Sequence, residues 1–266
     1  YNNGMSDKAI HLANEILMLS GQRNLKPLYP AYKILASSYL DKNEQLDLAE
    51  KYCHLILEEL NSTYGSEKIQ SRLIEEHRLY ALNILGRFQA EHDNFDESLV
   101  YFERGLDAAK KAKLPSQIRR FLLNIADLYE DKNQLGDCER YLRELLAFYE
   151  TGAGELWDHK LETLIRLSLI AQKRGNISDN REFLVRCLEL VKKIGDPLRE
   201  ANILANLALN AHLRNDHDER ENFEALAINI WHERGLDIPG WYLEAGLFKQ
   251  RPQSRTSSPS SETESI

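Results

Sequence analysis

Apolar side chains recur along this chain at alternating steps of three and four residues, the spacing that places them on one face of an α-helix. Stripes of this kind begin at Phe95, Leu135, Ile177 and His217, and an earlier copy begins near Leu46. The last four starting points are separated by 40, 42 and 40 residues. A stripe that returns at a nearly constant interval predicts a repeat of one helical unit along the chain.

A second set of helices is predicted in front of these stripes. Each is marked by a large residue followed by a small one, at Leu85-Gly86, Ile125-Ala126, Leu167-Ser168 and Leu207-Ala208. A small side chain allows a neighbouring helix to approach closely, and polar turns separate the two sets of helices. We therefore predict five helix pairs, each with a first and a second helix, at residues 27–60, 66–112, 116–151, 158–195 and 198–235.

The residues within each pair resemble the tetratricopeptide repeat family, whose pattern is large-small-aromatic in the first helix and small-aromatic-small in the second. The nearest match in this chain is Leu85, Gly86, Ser98, Phe102 and Gly105. The resemblance covers roughly residues 5 to 235 and implies an all-α, right-handed superhelical solenoid of antiparallel helix pairs. The repeat is longer than the usual length of about 34 residues, which is similar to a long-repeat subclass that includes MalT-like regulators and scaffolds of G-protein signalling.

Both ends of the chain depart from this pattern. Residues 1–22 look like the second helix of a truncated pair, with Tyr1 to Gly4 as the end of its first helix and the turn, so we expect further repeats before Tyr1. The five pairs fill residues 23–235. The apolar segment 236–249 is predicted to be a helix that caps the stack, because an open end would expose core residues. The Ser-rich residues 250–266 have little to bury and are predicted to be disordered.

Composition and charge narrow the classes of partner. The chain is 42% hydrophobic and 29% charged, as in ordinary globular proteins, and its net charge of −8 would repel nucleic acid. No apolar run approaches the length of a membrane span, so we expect no membrane partner. The three cysteines, Cys53, Cys138 and Cys187, are far apart, which favours a reducing, cytoplasmic compartment over a disulfide framework.

The sequence contains no recognisable catalytic or cofactor motif. HExxH, a glycine-rich phosphate loop and GxSxG are all absent, and the eight histidines are scattered without metal-ligand spacing. The pair Asp158-His159 fits a helix start better than part of a catalytic triad. We therefore expect no enzyme activity, no cofactor and no metal site in these residues.

The resemblance implies that first helices line the concave surface, where a partner would contact first-helix positions that the core does not use. The candidates for peptide binding are Asn83, Arg87, Arg120, Asn124, Asp127, Arg166, Asn202, Asn206 and Asn210. The last three are spaced i, i+4, i+8 and would form a ladder along one helix face. Amide side chains can pair with the backbone of an extended peptide, and arginines can bind its carboxylates. Alternatively, these asparagines bond neighbouring repeats or solvent.

The sequence thus favours a scaffold that binds a partner protein or an extended peptide. The alternative is a domain that senses a ligand or peptide within a larger transcriptional or signalling regulator.

Overall fold

The computed structural model describes residues 3–23, 26–42, 45–64, 72–151 and 157–245, and within these ranges it contains twelve α-helices and no β-strand. The chain divides into two compact units, Tyr1–Gly175 (unit 1) and Asn176–Ile266 (unit 2). In chain order the helices are α1 Asn3–Arg23, α2 Tyr29–Lys42, α3 Leu46–Tyr64, α4 Arg72–Glu91, α5 Phe95–Lys111, α6 Pro115–Asp131, α7 Leu135–Thr151, α8 Trp157–Lys173, α9 Ile177–Ile194, α10 Pro197–Leu213, α11 His217–Glu233 and α12 Gly240–Glu244.

The helices lie where the apolar stripes place them. The five second helices, α3, α5, α7, α9 and α11, begin at the five residues where the stripes begin. In unit 1 each helix packs against the next from α1 to α8, and in unit 2 α9 packs against α10 and α10 against α11. The all-α prediction of successive helix pairs is therefore confirmed.

Two glycines bring helices of unit 1 close together. A Cβ atom added to Gly86 of α4 would lie 2.4 Å from Cε1 of Phe102, and one added to Gly105 of α5 would lie 2.3 Å from Cε1 of Phe121. Both phenylalanine rings are buried, and they contact each other edge to face with centroids 6.4 Å apart. The small residue that the repeat pattern requires at this position thus leaves room for an aromatic ring of the following helix.

The turns between paired helices share one conformation. Asp93, Asn133, Gly175 and Asn215 each have a positive φ, between 55° and 71°. In three of these turns, the backbone N–H of residue i+5 donates to the carbonyl oxygen of residue i, as Asn94 N–H does to Gln89 O. This is the left-handed helix ending that Asn, Asp and Gly tolerate at low cost. It reverses the chain within three residues, and within each unit it makes the paired helices α4 and α5, α6 and α7, and α10 and α11 antiparallel.

The N-terminal segment differs in detail from the prediction. Asn3 and Gly4 belong to α1 and do not form a turn, while Tyr1 and Asn2 lie outside the described residues. Asn and Gly are both favoured at the start of a helix as well as in turns, so here the pair begins a helix. The helix buries Ala13 and packs on α2, whereas its large apolar side chains Met5 and Leu12 are exposed.

At the C-terminal end, a helix of five residues, α12, falls within the predicted capping segment 236–249. Tyr242 on this helix is fully buried and packs against Trp231 of α11, in a cluster completed by Leu204 and Ala205 of α10. Residues 246–249 and the Ser-rich tail 250–266 lie outside the described residues. Within the described ranges, no helix has the length and apolar character needed to cross a membrane.

Candidate binding surface on the first helices

Side-chain bonds join the first helices of unit 1 to one another. Asn124 on α6 donates from Nδ2 to Oδ1 of Asn83 on α4, at 2.7 Å. Arg166 on α8 reaches back to α6, where its Nη2 lies 2.6 Å from Oδ1 of Asp127 and 3.0 Å from Oε2 of Glu130. We use the name first-helix face for a set of side chains on α4, α6 and α8, made up of these residues with Lys173 and the predicted candidates Arg87 and Arg120: Asn83, Arg87, Arg120, Asn124, Asp127, Glu130, Arg166 and Lys173.

The asparagine pair has a structural role. Asn83 is only 7% exposed and Asn124 is half-buried, so their bond ties two neighbouring repeats together. A buried amide without a partner would be unfavourable, and this bond satisfies the side-chain oxygen of Asn83, the more buried of the two. Of the two alternatives that the sequence leaves open, bonding between repeats is the one observed for this pair. Asn124 retains a second N–H and its own carbonyl oxygen, because the bond to Asn83 uses one donor.

A four-residue charge cluster occupies the α6–α8 part of the face. Glu130 accepts from Lys173 at 2.8 Å and from Arg166 at 3.0 Å, and these bonds, that from Lys173 foremost, hold the pKa of the Glu130 carboxyl below its ordinary value. Asp127 behaves differently: burial raises its pKa, and the nearby Arg166 only partly opposes this. Arg166 is therefore already committed to two carboxylates, which argues against its predicted role in holding a ligand carboxylate.

Two arginines of the face remain outside such clusters. Arg87 is exposed, and its ion pair with Glu91, one turn along α4, has a long separation of 3.9 Å. Arg120 is also exposed on α6, and in the described part of the chain it forms no ion pair or hydrogen bond. An exposed, long pair contributes little to stability, so both guanidinium groups can bind an incoming anion at low cost.

In unit 2 the last member of the predicted asparagine ladder is buried. Asn210 is 2% exposed and lies between α9 and α10, where its Nδ2 donates to Oδ1 of Asn180 at 2.7 Å and to the Ile177 carbonyl at 2.9 Å. Its Oδ1 accepts from Nε of Arg214 at 3.1 Å. Four residues advance a helix by about 400°, so each i+4 step rotates by about 40°. Two steps turn Asn210 away from Asn202 and into the core.

The other two members of the ladder remain half-buried on α10. Asn206 donates from Nδ2 to the Asn202 carbonyl at 2.8 Å, a local bond within the helix. Oδ1 of Asn202 is buried without a hydrogen-bond partner in the described residues. The hydrogen bond between Asn180 and Asn210 was not predicted, although two features of the sequence indicated it. Asn180 interrupts an apolar stripe, and Asn210 occupies the repeat position where Leu128 and Ile170 are buried.

The described side chains contain no group of three or more His, Cys, Asp or Glu arranged to hold a metal ion. The three cysteines are buried thiols, and burial raises the pKa of Cys53 and Cys187 to about 12 and that of Cys138 to about 11. A thiol with so high a pKa is a poor nucleophile at neutral pH. The surface chemistry of the first-helix face is thus that of amides, carboxylates and guanidinium groups.

Comparison with known proteins agrees with this architecture. No protein-family model matches the chain. Response regulator aspartate phosphatase A of Bacillus subtilis is 24% identical over 167 residues, which are 59% of this chain, and the match spans 43% of the length of that relative.

Two solved structures match a larger part of this chain. BtubC (BKLC) from P. vanneervenii superposes with a TM-score of 0.60 and 14% identity, covering 98% of both chains. A kinesin light chain from Podosopora anserina, described by its nearly identical TPR-like repeats, has a TM-score of 0.53 and 14% identity over 77% of this chain and 95% of its own. At these identities the similarity concerns the fold. The chain therefore has the fold of the tetratricopeptide-like helical repeat proteins.

Proposed function

We propose that this chain is a scaffold that acts by binding a polypeptide rather than by catalysis, and that the first-helix face of unit 1 binds an acidic, extended peptide segment. The observation that carries the proposal is the pair of exposed arginines, Arg87 and Arg120, on either side of the bonded asparagines. Charge-assisted bonds from guanidinium groups to carboxylates are among the strongest that an exposed surface can offer. The three cysteines, which are free and buried, support a reducing, cytoplasmic location.

The register of α4 and α6 sets the spacing between the two arginines. Both helices are antiparallel to α5, which lies between them in the chain, so they run in the same direction. Arg87 follows Asn83 by four residues, whereas Arg120 precedes Asn124 by four. At about 1.5 Å per residue, the two arginines are displaced by roughly 12 Å along the helix direction. The axes of α4 and α6 are also displaced sideways by about 10 Å, so the two arginines are roughly 16 Å apart. Five residues of an extended peptide span about 16 Å, so acidic residues at positions i and i+5 would meet both guanidinium groups.

A binding assay with charge-removing variants tests this proposal. Fluorescence anisotropy would compare extended peptides carrying two glutamates at spacings from i+2 to i+6, with Arg87→Gln, Arg120→Gln and the control Arg140→Gln. Arg140 is an exposed arginine of the second helix α7. An exposed ion pair contributes up to about 1 kcal/mol, so each variant of the face should weaken binding by about two- to fivefold.

The outcomes separate specific binding from general electrostatics. We expect the i+5 peptide to bind best and the control to match the unaltered protein. Equal losses in all three variants would show a general charge effect, and peptide binding unaffected by Arg87→Gln and Arg120→Gln would refute the assignment of this face.

A second candidate is suggested by the Bacillus subtilis relative. That protein is named as a phosphatase of response regulators, and its similarity to this chain includes 59% of the residues here. On this view the chain is part of a signalling regulator whose partner is a phosphorylated response regulator. Mixing the chain with a response regulator phosphorylated on aspartate, and following both complex formation and phosphate release, would test it. Binding without release favours the scaffold, whereas accelerated release requires a catalytic role.

A further inference from the structure

We infer that unit 1 contains a second binding site, a cleft between α4 and α5 that takes a small organic oxyanion, bound through its carboxylate or phosphate group. The cleft has a volume of about 270 Å³. Its walls carry Arg78 of α4 with Arg104 and Lys111 of α5. No feature of the polypeptide-binding proposal requires this site.

The positive side chains of the cleft differ in how closely they are paired with carboxylates. Lys111 is bonded to Asp107 at 2.6 Å, but Nε of Arg78 lies 3.7 Å from the nearest oxygen of Glu75, which is beyond hydrogen-bond length. Arg104 forms no ion pair with any residue of the described ranges. Three cations therefore face two carboxylates, and both guanidinium groups retain donors for an anion.

The burial of the Arg78 side chain strengthens this indication. Its Nε is shielded from solvent and has no hydrogen-bond acceptor among the described residues. Buried N–H groups are almost always paired, and an unpaired one beside a cationic cleft is a position where a ligand oxygen improves the structure. The planar fork of a guanidinium matches the two oxygens of a carboxylate or phosphate.

The volume of the cleft and the chemistry of its other walls restrict the size and the type of ligand that can bind. Leu82 and Ala108 provide an apolar side to the cleft. The volume is slightly below the range of about 300–1,000 Å³ typical of ligand pockets. A small organic acid or a monophosphate on a short apolar group fits this space, whereas a nucleoside triphosphate does not.

The cleft is separate from the first-helix face. Arg78 and Arg87 are nine residues apart on α4, and nine steps of about 100° place them on opposite sides of the helix. Removal of Arg87 and Arg120 should therefore leave the cleft unchanged, and removal of Arg104 should leave peptide binding unchanged. Failure of one site is thus distinguishable from failure of the other.

Titration of the whole chain with three probes, inorganic phosphate, phenyl phosphate and succinate, tests the assignment at constant ionic strength. The arginine Nε–Hε signals in nitrogen-15 NMR spectra report directly on Arg78 and Arg104. We expect saturable shifts of the Arg78 signal, with dissociation constants below about 10 mM. The tighter of the phosphate and succinate series identifies the preferred head group, and tighter binding of phenyl phosphate than of phosphate would show that the apolar wall contributes.

Variants complete the test. Arg104→Gln should weaken binding at least about tenfold, and because Arg104 has no ion pair to lose, its removal should not unfold the protein. Lys110→Gln is the matched control, since Lys110 lies next to the cleft in sequence but pairs with Glu144 on α7; it should change affinity less than about twofold. Shifts that stay linear to about 50 mM, or equal affinities for Arg104→Gln and the unaltered chain, would overturn the assignment.

Discussion

Substitution of Gly86 by alanine is the most direct test of how the helix pairs pack. The added Cβ would lie 2.4 and 2.5 Å from Cε1 and Cδ1 of Phe102. Carbon atoms in favourable contact are about 3.5–4.0 Å apart, so the ring or the helix must move by more than about 1 Å. Phe102 is 2% exposed and rests against Phe121, which leaves the ring no open space to enter.

The expected loss of stability can be bounded. Overpacking in a well-filled core decreases the free energy of unfolding by about 1–3 kcal/mol and sometimes more. Because the contacts at Gly86 would be so short and the ring is buried, we expect a value near 3 kcal/mol. Alanine also gains about 1 kcal/mol over glycine in a helix interior. The net expectation for Gly86→Ala is thus a decrease of about 2 kcal/mol in the free energy of unfolding.

A matched control is available in the same unit. Gly136 lies in α7 and is exposed, and no atom lies within 4 Å of a Cβ added there. Gly136→Ala should therefore increase the free energy of unfolding by about 0.5–1 kcal/mol. Urea unfolding followed by far-ultraviolet circular dichroism measures both variants against the unaltered chain, and the two effects should have opposite signs.

A third variant separates this contact from other causes. In the double variant Gly86→Ala with Phe102→Leu, the smaller side chain relieves the clash, so the combined loss should be less than the sum of the two single losses. A stability for Gly86→Ala equal to or above that of the unaltered chain would refute the packing argument, and so would strict additivity in the double variant.

Three further predictions concern buried groups of unit 1 and the cysteines. The three buried thiols should react with a disulfide reagent at pH 8 at least about 100-fold more slowly in the native chain than in urea; equal rates would contradict their burial. Both carboxylate oxygens of Glu59 accept the Leu28 N–H, at 2.8 and 3.0 Å, so Glu59→Gln should cost about 1–2 kcal/mol, measured by urea unfolding against the exposed control Glu58→Gln, which should have little effect. Lys173 and Arg166 lower the pKa of Glu130 in the folded state, so its charged form stabilises the fold at neutral pH. The stability advantage over Glu130→Gln should be full above about pH 4.5 and should decrease as the pH falls from there through the lower pKa of the folded state; an advantage that stays constant throughout the acid titration would be inconsistent with that shift.

Helix positions could be predicted from the sequence because each helix buries one continuous stripe. A buried residue must recur every three or four positions, and this periodicity alone locates the start of α5 at Phe95 and of α7 at Leu135. Local signals were less decisive at the N-terminus, where the Asn3-Gly4 pair resembles a turn but continues the helix. Asn and Gly are favoured both in turns and at the start of a helix, so the local signal did not distinguish the two, and packing on α2 accompanies the helix that forms.

Pairing between side chains was harder to predict than helix position. Arg166 and Asp127 were both selected as ligand contacts, yet they bind each other at 2.6 Å. Their sequence separation of 39 residues is nearly one repeat, so residues at similar positions of adjacent repeats are neighbours in space. Opposite charges at that separation are therefore expected to pair, and a ligand must displace a bond that already exists.

The same reasoning identifies which candidates remain for a ligand. The asparagines are the least suited of the predicted set, because Asn83 bonds Asn124 and Asn210 bonds Asn180. An amide offers both a donor and an acceptor, and the property that suits it to a peptide backbone suits it equally to another amide. Arginine offers donors only, so Arg87 and Arg120 can be satisfied only by an acceptor. The nearest carboxylate to Arg87 is 3.9 Å away, and Arg120 has no carboxylate in reach among the described residues. We therefore expect specific recognition by this face to come from Arg87 and Arg120, with the bonded asparagines holding α4 and α6 in the register that sets their spacing.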